Sequence, residues 1–188
     1  GDPTETALVK LAHTLNYNKK TIESLMPRVF EVPFDSERKL MTTVNQFEER
    51  YFSYTKGALD ILLNRCTQIL DQGMIRTLTR DDHEMIIKAN AELTQSALRV
   101  IAFGYKELED IPEATQVGQL EENLIFVGFV GMIDPPRPEV RFAVQKCREA
   151  GIKPVMITGD HKDTASAIAL ELGILENGEE AIEGRLLE

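Results

Sequence analysis

Three prolines in five residues, Pro135, Pro136 and Pro138 within DPPRPEV (134–140), constrain this chain more than any other feature. Each proline fixes its own φ, removes a backbone donor and drives the residue before it out of the helical region, so no strand or helix runs through the stretch. The patterning differs on its two sides. A domain boundary is expected there, with residues 1–134 before it and 135–188 after it.

Before the prolines, TETALVKLAHTL (4–15) puts Ala7, Leu8, Leu11 and Leu15 on one helical face, with Thr4 as the cap. VFEVPF (29–34), KLMTTVNQF (39–47) and YFSYTKG (51–57) read as strands, the last two joined by a short polar connection of hairpin type. ALDILLNRCTQIL (58–70) reads as a helix, followed by a short GMIRTL run and a long helix from about 79 to 97. RVIAFGYKEL (99–108) and LIFVGFVGMI (124–133) read as strands, the second a central one. The order predicts an α+β domain, an antiparallel sheet flanked by helices.

After the prolines, a helix over 138–150 (Val140, Val144 and Cys147 on one side), a strand over 153–158 and a helix over 161–172 make an αβα series, as in an open parallel sheet. Such a sheet needs more strands than these residues supply, so part of the second domain is expected to lie outside this sequence. The strand ends where Gly159 lets the backbone turn and Asp160 caps the next helix. Ligands of open α/β sheets sit beyond the carboxyl ends of strands, where helix N-terminal amides and a side chain such as Thr158 face anions. On these residues alone the turn is equally an ordinary strand-to-helix connection.

With 43% hydrophobic residues, 188 residues are enough to bury a sizeable core. The longest apolar stretch, 124–133, is about half of what a bilayer requires, and no charged-then-apolar leader opens the chain, so this piece is expected to be soluble. A formal charge of −10 excludes a general nucleic-acid surface. Cys66 and Cys147 lie far apart without ligand spacing, as free thiols of a reducing compartment do, and the scattered His13, His83 and His161 build no metal site.

The sequence has no GxSxG, HExxH, Walker A loop or dinucleotide fingerprint. What remains is a set of cationic and aromatic residues at strand ends: Phe34, Lys39, Lys56 with Gly57, and Arg99. An aromatic ring, two lysines and an arginine are the parts that stack a purine and neutralise its phosphates, and Gly57 permits close backbone approach. Each taken singly reads more simply, Phe34 as core and the cations as solvated surface. Glu5 sits in the first turn of its helix, where the helix dipole favours a carboxylate in any case.

Six motifs occur in one order along nearly the whole chain: GDPTETAL (1–8), VPFDSERKLM (32–41), YTKGALDILLNRC (54–66), LRVIAFGYKEL (98–108), VGFVGMIDPPRPEV (127–140) and GIKPVMITGDHKDTASAIALELGI (151–174). This string resembles the P-type cation-transporting ATPases, most closely their calcium-pump-like branch. The resemblance implies a nucleotide-binding domain over 1–134 and, over 135–188, part of a phosphorylation domain of the α/β haloacid-dehalogenase type. It implies that Phe34 stacks on adenine, Lys56 and Lys39 line that pocket with Gly57 beside them, Glu5 lies near the adenine and Arg99 reaches toward the phosphates. Asp134 and Arg137 match the hinge, and Thr158, Gly159 and Asp160 match a turn near the γ-phosphate.

It further implies ATP as ligand, Mg2+ in the intact enzyme, and an aspartyl-phosphate intermediate coupled to cation transport, with calcium as the cation of that branch. The phosphorylated aspartate (DKTGT) is expected upstream, the magnesium-binding aspartates (TGDGxNDxP) downstream, and the actuator and membrane domains elsewhere, so that this cytoplasmic part of a membrane-embedded pump binds ATP without turnover. One position departs from the pattern: Ser36 stands where an arginine is common, and Arg38 is the nearest substitute. The alternatives are a non-catalytic nucleotide-sensing module and a free-standing phosphatase, the latter without any DxD nucleophile segment.

Overall fold

The computed structural model of the chain describes residues 2–95, 98–111, 117–133, 137–158, 162–176, 178–179 and 181–182, with the backbone alone at 95, 117, 138 and 162–164. The elements are α1 (Pro3–Thr14), α2 (Lys19–Leu25), β1 (Arg28–Asp35), β2 (Leu40–Phe47), β3 (Arg50–Gly57), α3 (Leu59–Leu63), β4 (Cys66–Asp71), β5 (Met74–Thr77), α4 (Arg80–Gln95), β6 (Arg99–Leu108), α5 (Val117–Leu120), β7 (Leu124–Met132), α6 (Pro138–Glu149) and α7 (Lys162–Leu172). They gather into two compact units, one of residues 1–88 with 100–130, the other of 89–99 with 131–188.

In the first unit the α+β class expected from the sequence is the one found. The described strands form a seven-stranded sheet in the order β1-β2-β3-β6-β7-β4-β5. The pairs β1–β2, β2–β3, β3–β6 and β4–β5 are antiparallel, whereas β4 runs parallel to β7, so the sheet is mixed. Along β2 the alternation is strict: Leu40, Thr42 and Val44 are buried and Met41, Thr43 and Asn45 are half-exposed on the other face. The buried face packs under α3, where Leu59, Leu62 and Leu63 meet Leu40, Ala102, Leu124 and Phe126.

The helix expected over 58–70 stops at Leu63. Its second half is β4, because Cys66 pairs with Leu124, Gln68 with Ile125 and Ile69 with Phe126 along the central strand β7. Helical propensity there yields to a ladder formed with residues nearly sixty positions away. GMIRTL becomes β5, joined to β4 by Gln72 and Gly73, both with positive φ (48° and 83°), the conformation of a tight hairpin turn. Gly73 is the turn signal that the sequence carries here. The cap of α1 is Asp2, not Thr4: the Asp2 Oδ1 accepts from the Thr4 amide at 2.7 Å.

The start of α4 is a capping box. Thr79 Oγ1 accepts from the Asp82 amide at 3.2 Å and the Asp82 carboxylate accepts from the Thr79 amide at 2.9 Å. Arg76 clamps the same carboxylate through two nitrogens, at 2.6 and 2.8 Å, while reaching Asp71 with Nε at 3.0 Å. These bonds, from Arg76 first and then Thr79, hold the Asp82 carboxyl far below the usual carboxylate range.

In the second unit, α6 and α7 bury Val144, Ala165, Ala169 and Leu172. The strand expected over 153–158 is not formed. Residues 152–158 have no regular structure, and Val155 and Ile157 are 76% and 94% exposed. A parallel strand is held by neighbours on its edges, and no described strand pairs with this segment.

Candidate functional site

The unburied face of β2, β3 and β6 carries a cavity of about 460 Å3. Register brings its wall together: Met41 stands opposite Lys56, Thr43 opposite Tyr54, Tyr54 opposite Tyr105 and Lys56 opposite Phe103, so these side chains share one face. Tyr54 and Tyr105 stack with ring centroids 6.2 Å apart and planes 22° from parallel. Burial, and then the neighbouring Tyr105, raise the Tyr54 pKa above its ordinary value, which keeps its hydroxyl a neutral donor. Glu5, from α1, pairs with Lys56 in the same wall, and Arg28 adds a second cation that is itself paired with Glu31. An aromatic and aliphatic wall with one accepting carboxylate and two cations suits a flat heteroaromatic ring carrying a donor and an anionic tail. Among the described residues no serine, cysteine or histidine lines it.

Of the residues singled out in the sequence, Glu5 and Lys56 meet here. Phe34 does not line the cavity, yet it is not in the core either: it is 62% exposed. The cause is a register shift in β1. Val32 pairs with Thr42, which would set residue 34 opposite buried Leu40, but an extra residue enters and Asp35 takes that place instead. Lys39 closes the β1–β2 turn in the left-handed region, at φ 57°, with its amide bonded to Asp35 O at 2.6 Å. Gly57 is required by the fold, because the place of a Cβ there is filled by the Lys39 carbonyl and by Leu40 Cδ2 at 2.8 Å.

Arg99 opens β6, belongs to the second unit and is not among the residues lining the cavity. Arg137 is exposed and extended at the N-cap position of α6. Thr158 is exposed, whereas Asp134, Gly159 and Asp160 lie outside the described residues.

Arg38, the substitute considered for the arginine absent at Ser36, is committed elsewhere. Its Nη1 donates to Glu121 Oε1 at 2.8 Å, and its Nη2 donates to the carbonyls of Pro33 at 2.6 Å and Leu40 at 2.9 Å. Glu121 is 1% exposed and also accepts from Thr42 Oγ1 at 2.7 Å, which leaves the Thr42 oxygen to accept from Thr55 at 2.9 Å. Sequence reasoning missed Glu121, whose partner Arg38 is 83 positions away.

Residues 1–139 match the family described as P-type ATPase, cytoplasmic domain N. The chain belongs to the P-type ATPases. This P-type ATPase chain is 51% identical over 177 residues to calcium-transporting ATPase 1 of Bacillus cereus, a match covering 94% of the chain and 20% of that protein. It is 42% identical over 189 residues to calcium-transporting ATPase 1 of Lactococcus lactis, covering 100% of the chain and 21% of the relative. With the human sodium/potassium-transporting ATPase subunit alpha-3 it shares 38% over 194 residues, covering 97% of the chain and 19% of the relative. The chain thus spans about a fifth of the length of the curated relatives it matches. Among the described residues no helix is long and apolar enough to cross a membrane, and no three His, Cys, Asp or Glu side chains gather to hold a metal ion.

Proposed function

We propose that residues 1–134 bind ATP as the nucleotide-binding domain of a cation pump, and that 135–188 form part of its haloacid-dehalogenase-type phosphorylation domain. The observation that carries the reading is the cavity on the β2–β3–β6 face, of nucleotide size, with Lys56 and Glu5 both in its wall. Glu5 accepts from the exocyclic amine of adenine, Lys56 offers charge toward the phosphates, and the exposed ring of Phe34 stacks on the base. Lys39, Gly57 and Arg99 complete the nucleotide-binding set, while Asp134 and Arg137 act as the hinge and Thr158, Gly159 and Asp160 stand near the γ-phosphate. The whole protein transfers the γ-phosphoryl of ATP to an aspartate outside this chain and couples its release to cation transport across a membrane. Two of the relatives above are named as calcium-transporting, which makes calcium the proposed cation.

Mg2+ belongs to the intact enzyme. In this reading the chain's contribution is to hold the nucleotide, its base by Glu5 and Phe34 and its phosphates by Lys56. One aromatic stack and two or three screened charges correspond to binding of about −4 to −6 kcal/mol, millimolar to tens of micromolar.

The test is an isotope-edited NMR titration of the 188-residue chain with ATP, repeated on Phe34→Ala. Amide shifts clustering at Glu5, Met41, Lys56 and Tyr105, and fading in the variant, are the expected result. A wild-type chain that shows no shifts at several millimolar ATP would overturn the reading.

A further inference from the structure

We propose that Glu121 is a positioning residue for nucleotide binding, acting through Arg38 on the turn between β1 and β2; this rests on the nucleotide reading above. The Arg38 guanidinium spans the base of that turn. Its Nη2 holds the carbonyl of Pro33, the residue before Phe34, and the carbonyl of Leu40, the residue after Lys39. Phe34 and Lys39, two of the side chains proposed to meet ATP, are therefore bracketed by one planar group. That group is oriented by Glu121, whose carboxylate accepts from Nη1 at 2.8 Å in a site where the Glu121 side chain is 2% exposed. A charge-assisted bond at that depth fixes a guanidinium far better than two neutral carbonyls do.

The segment bearing Glu121 is itself anchored on the sheet. Ser53 Oγ donates to Leu120 O at 3.4 Å, and Lys106 Nζ donates to the carbonyls of Gln119 and, at 3.0 Å, Glu122. Position is thus passed from β3 and β6 to Glu121, from Glu121 to Arg38, and from Arg38 to both ends of the turn. The need for such a brace is local: Lys39 sits at φ 57°, a conformation that a non-glycine residue leaves when its surroundings stop enforcing it. A binding side chain held by a packed second layer of bonds is what ligand affinity depends on.

The experiment compares the 188-residue chain with Glu121→Gln, Arg38→Gln and the double variant. Glutamine keeps the shape of Glu121 and still accepts from Thr42, so the substitution removes chiefly the charge that orients Arg38. Amide exchange without ligand and ATP affinity by NMR titration are both read, beside the melting temperature. Exchange at Arg38 and Lys39 is expected to rise while the sheet strands keep their protection. The ATP Kd is expected to weaken about tenfold in each single variant, with the double variant no weaker than the worse single one.

An unchanged Kd in a chain that binds ATP, or additive losses in the double variant, would overturn the role of Glu121 while leaving the nucleotide reading intact. So would a loss of protection spread over the whole sheet with affinity retained by the folded fraction, the mark of a merely structural ion pair. If Glu121→Gln does not fold, Arg38→Gln decides by the same readouts, since its side chain lies at the more exposed end of the pair. A wild-type chain that takes up no ATP brings down the nucleotide reading and the role of Glu121 together.

Discussion

The carbonyl of Lys39 occupies the space where a Cβ on residue 57 would lie, and it accepts the Ala58 amide at 3.1 Å. The end of the β1–β2 turn and the end of β3 are thereby locked together by main chain alone. Gly57 is not in the left-handed region. The demand on it is for space.

Gly57→Ala therefore forces β3 away from Lys39 and Leu40. Overpacking of this kind costs about 2 kcal/mol, a fall in Tm of roughly 4–8 °C for a chain of this size. Differential scanning calorimetry checks it, and a variant that melts with the wild type would show that the β3 end yields freely.

Lys39→Gly should separate binding from stability. Glycine adopts φ near 57° without the penalty that a lysine bears, so the melting temperature is expected to hold or rise while the turn loses its cation. ATP affinity in the NMR titration is expected to fall by roughly threefold to tenfold, the scale of one partly screened charge. Unchanged affinity would remove Lys39 from the proposed site.

The Arg76–Asp82–Thr79 cluster sets an acid dependence. The Asp82 carboxyl titrates far lower folded than unfolded, so its stabilisation is present above the unfolded pKa of about 4 and is lost as pH falls from there toward the folded value. Asp82→Asn is expected to lower the urea midpoint clearly at neutral pH, and the gap to wild type should narrow below about pH 4. A gap that stays constant down to the acid limit would mean that the charge of Asp82 is not what stabilises the start of α4.

Burial pushes the Cys66 thiol up to about 12, and its Sγ–H donates to Leu62 O at 3.2 Å. In a Cys147→Ser chain, Cys66 should react with a disulfide reagent at mildly alkaline pH at least about a hundredfold more slowly when folded than in denaturant. Equal rates would show that the end of α3 opens readily.

The motifs and the short-range patterning were enough to set the family, the α+β class and most element bounds. The hairpin of β2 and β3 and the strand β6 follow from alternation within a few residues, and α6 follows from helical spacing after Pro138. Such signals are local, so a single stretch of chain contains them. Four other features are set by residues distant in sequence or by a register. Cys66–Asp71 is a strand because β7 pairs with it, and Phe34 is exposed because a bulge puts Asp35 opposite Leu40. The Arg38 guanidinium is committed to protein partners because Glu121 lies buried beside it, and residues 152–158 stay irregular because no described strand lies alongside. Local sequence decides what conformations a segment favours; which one it takes, and where its side chains end up, depends on partners that only the assembled sheet brings within hydrogen-bond reach.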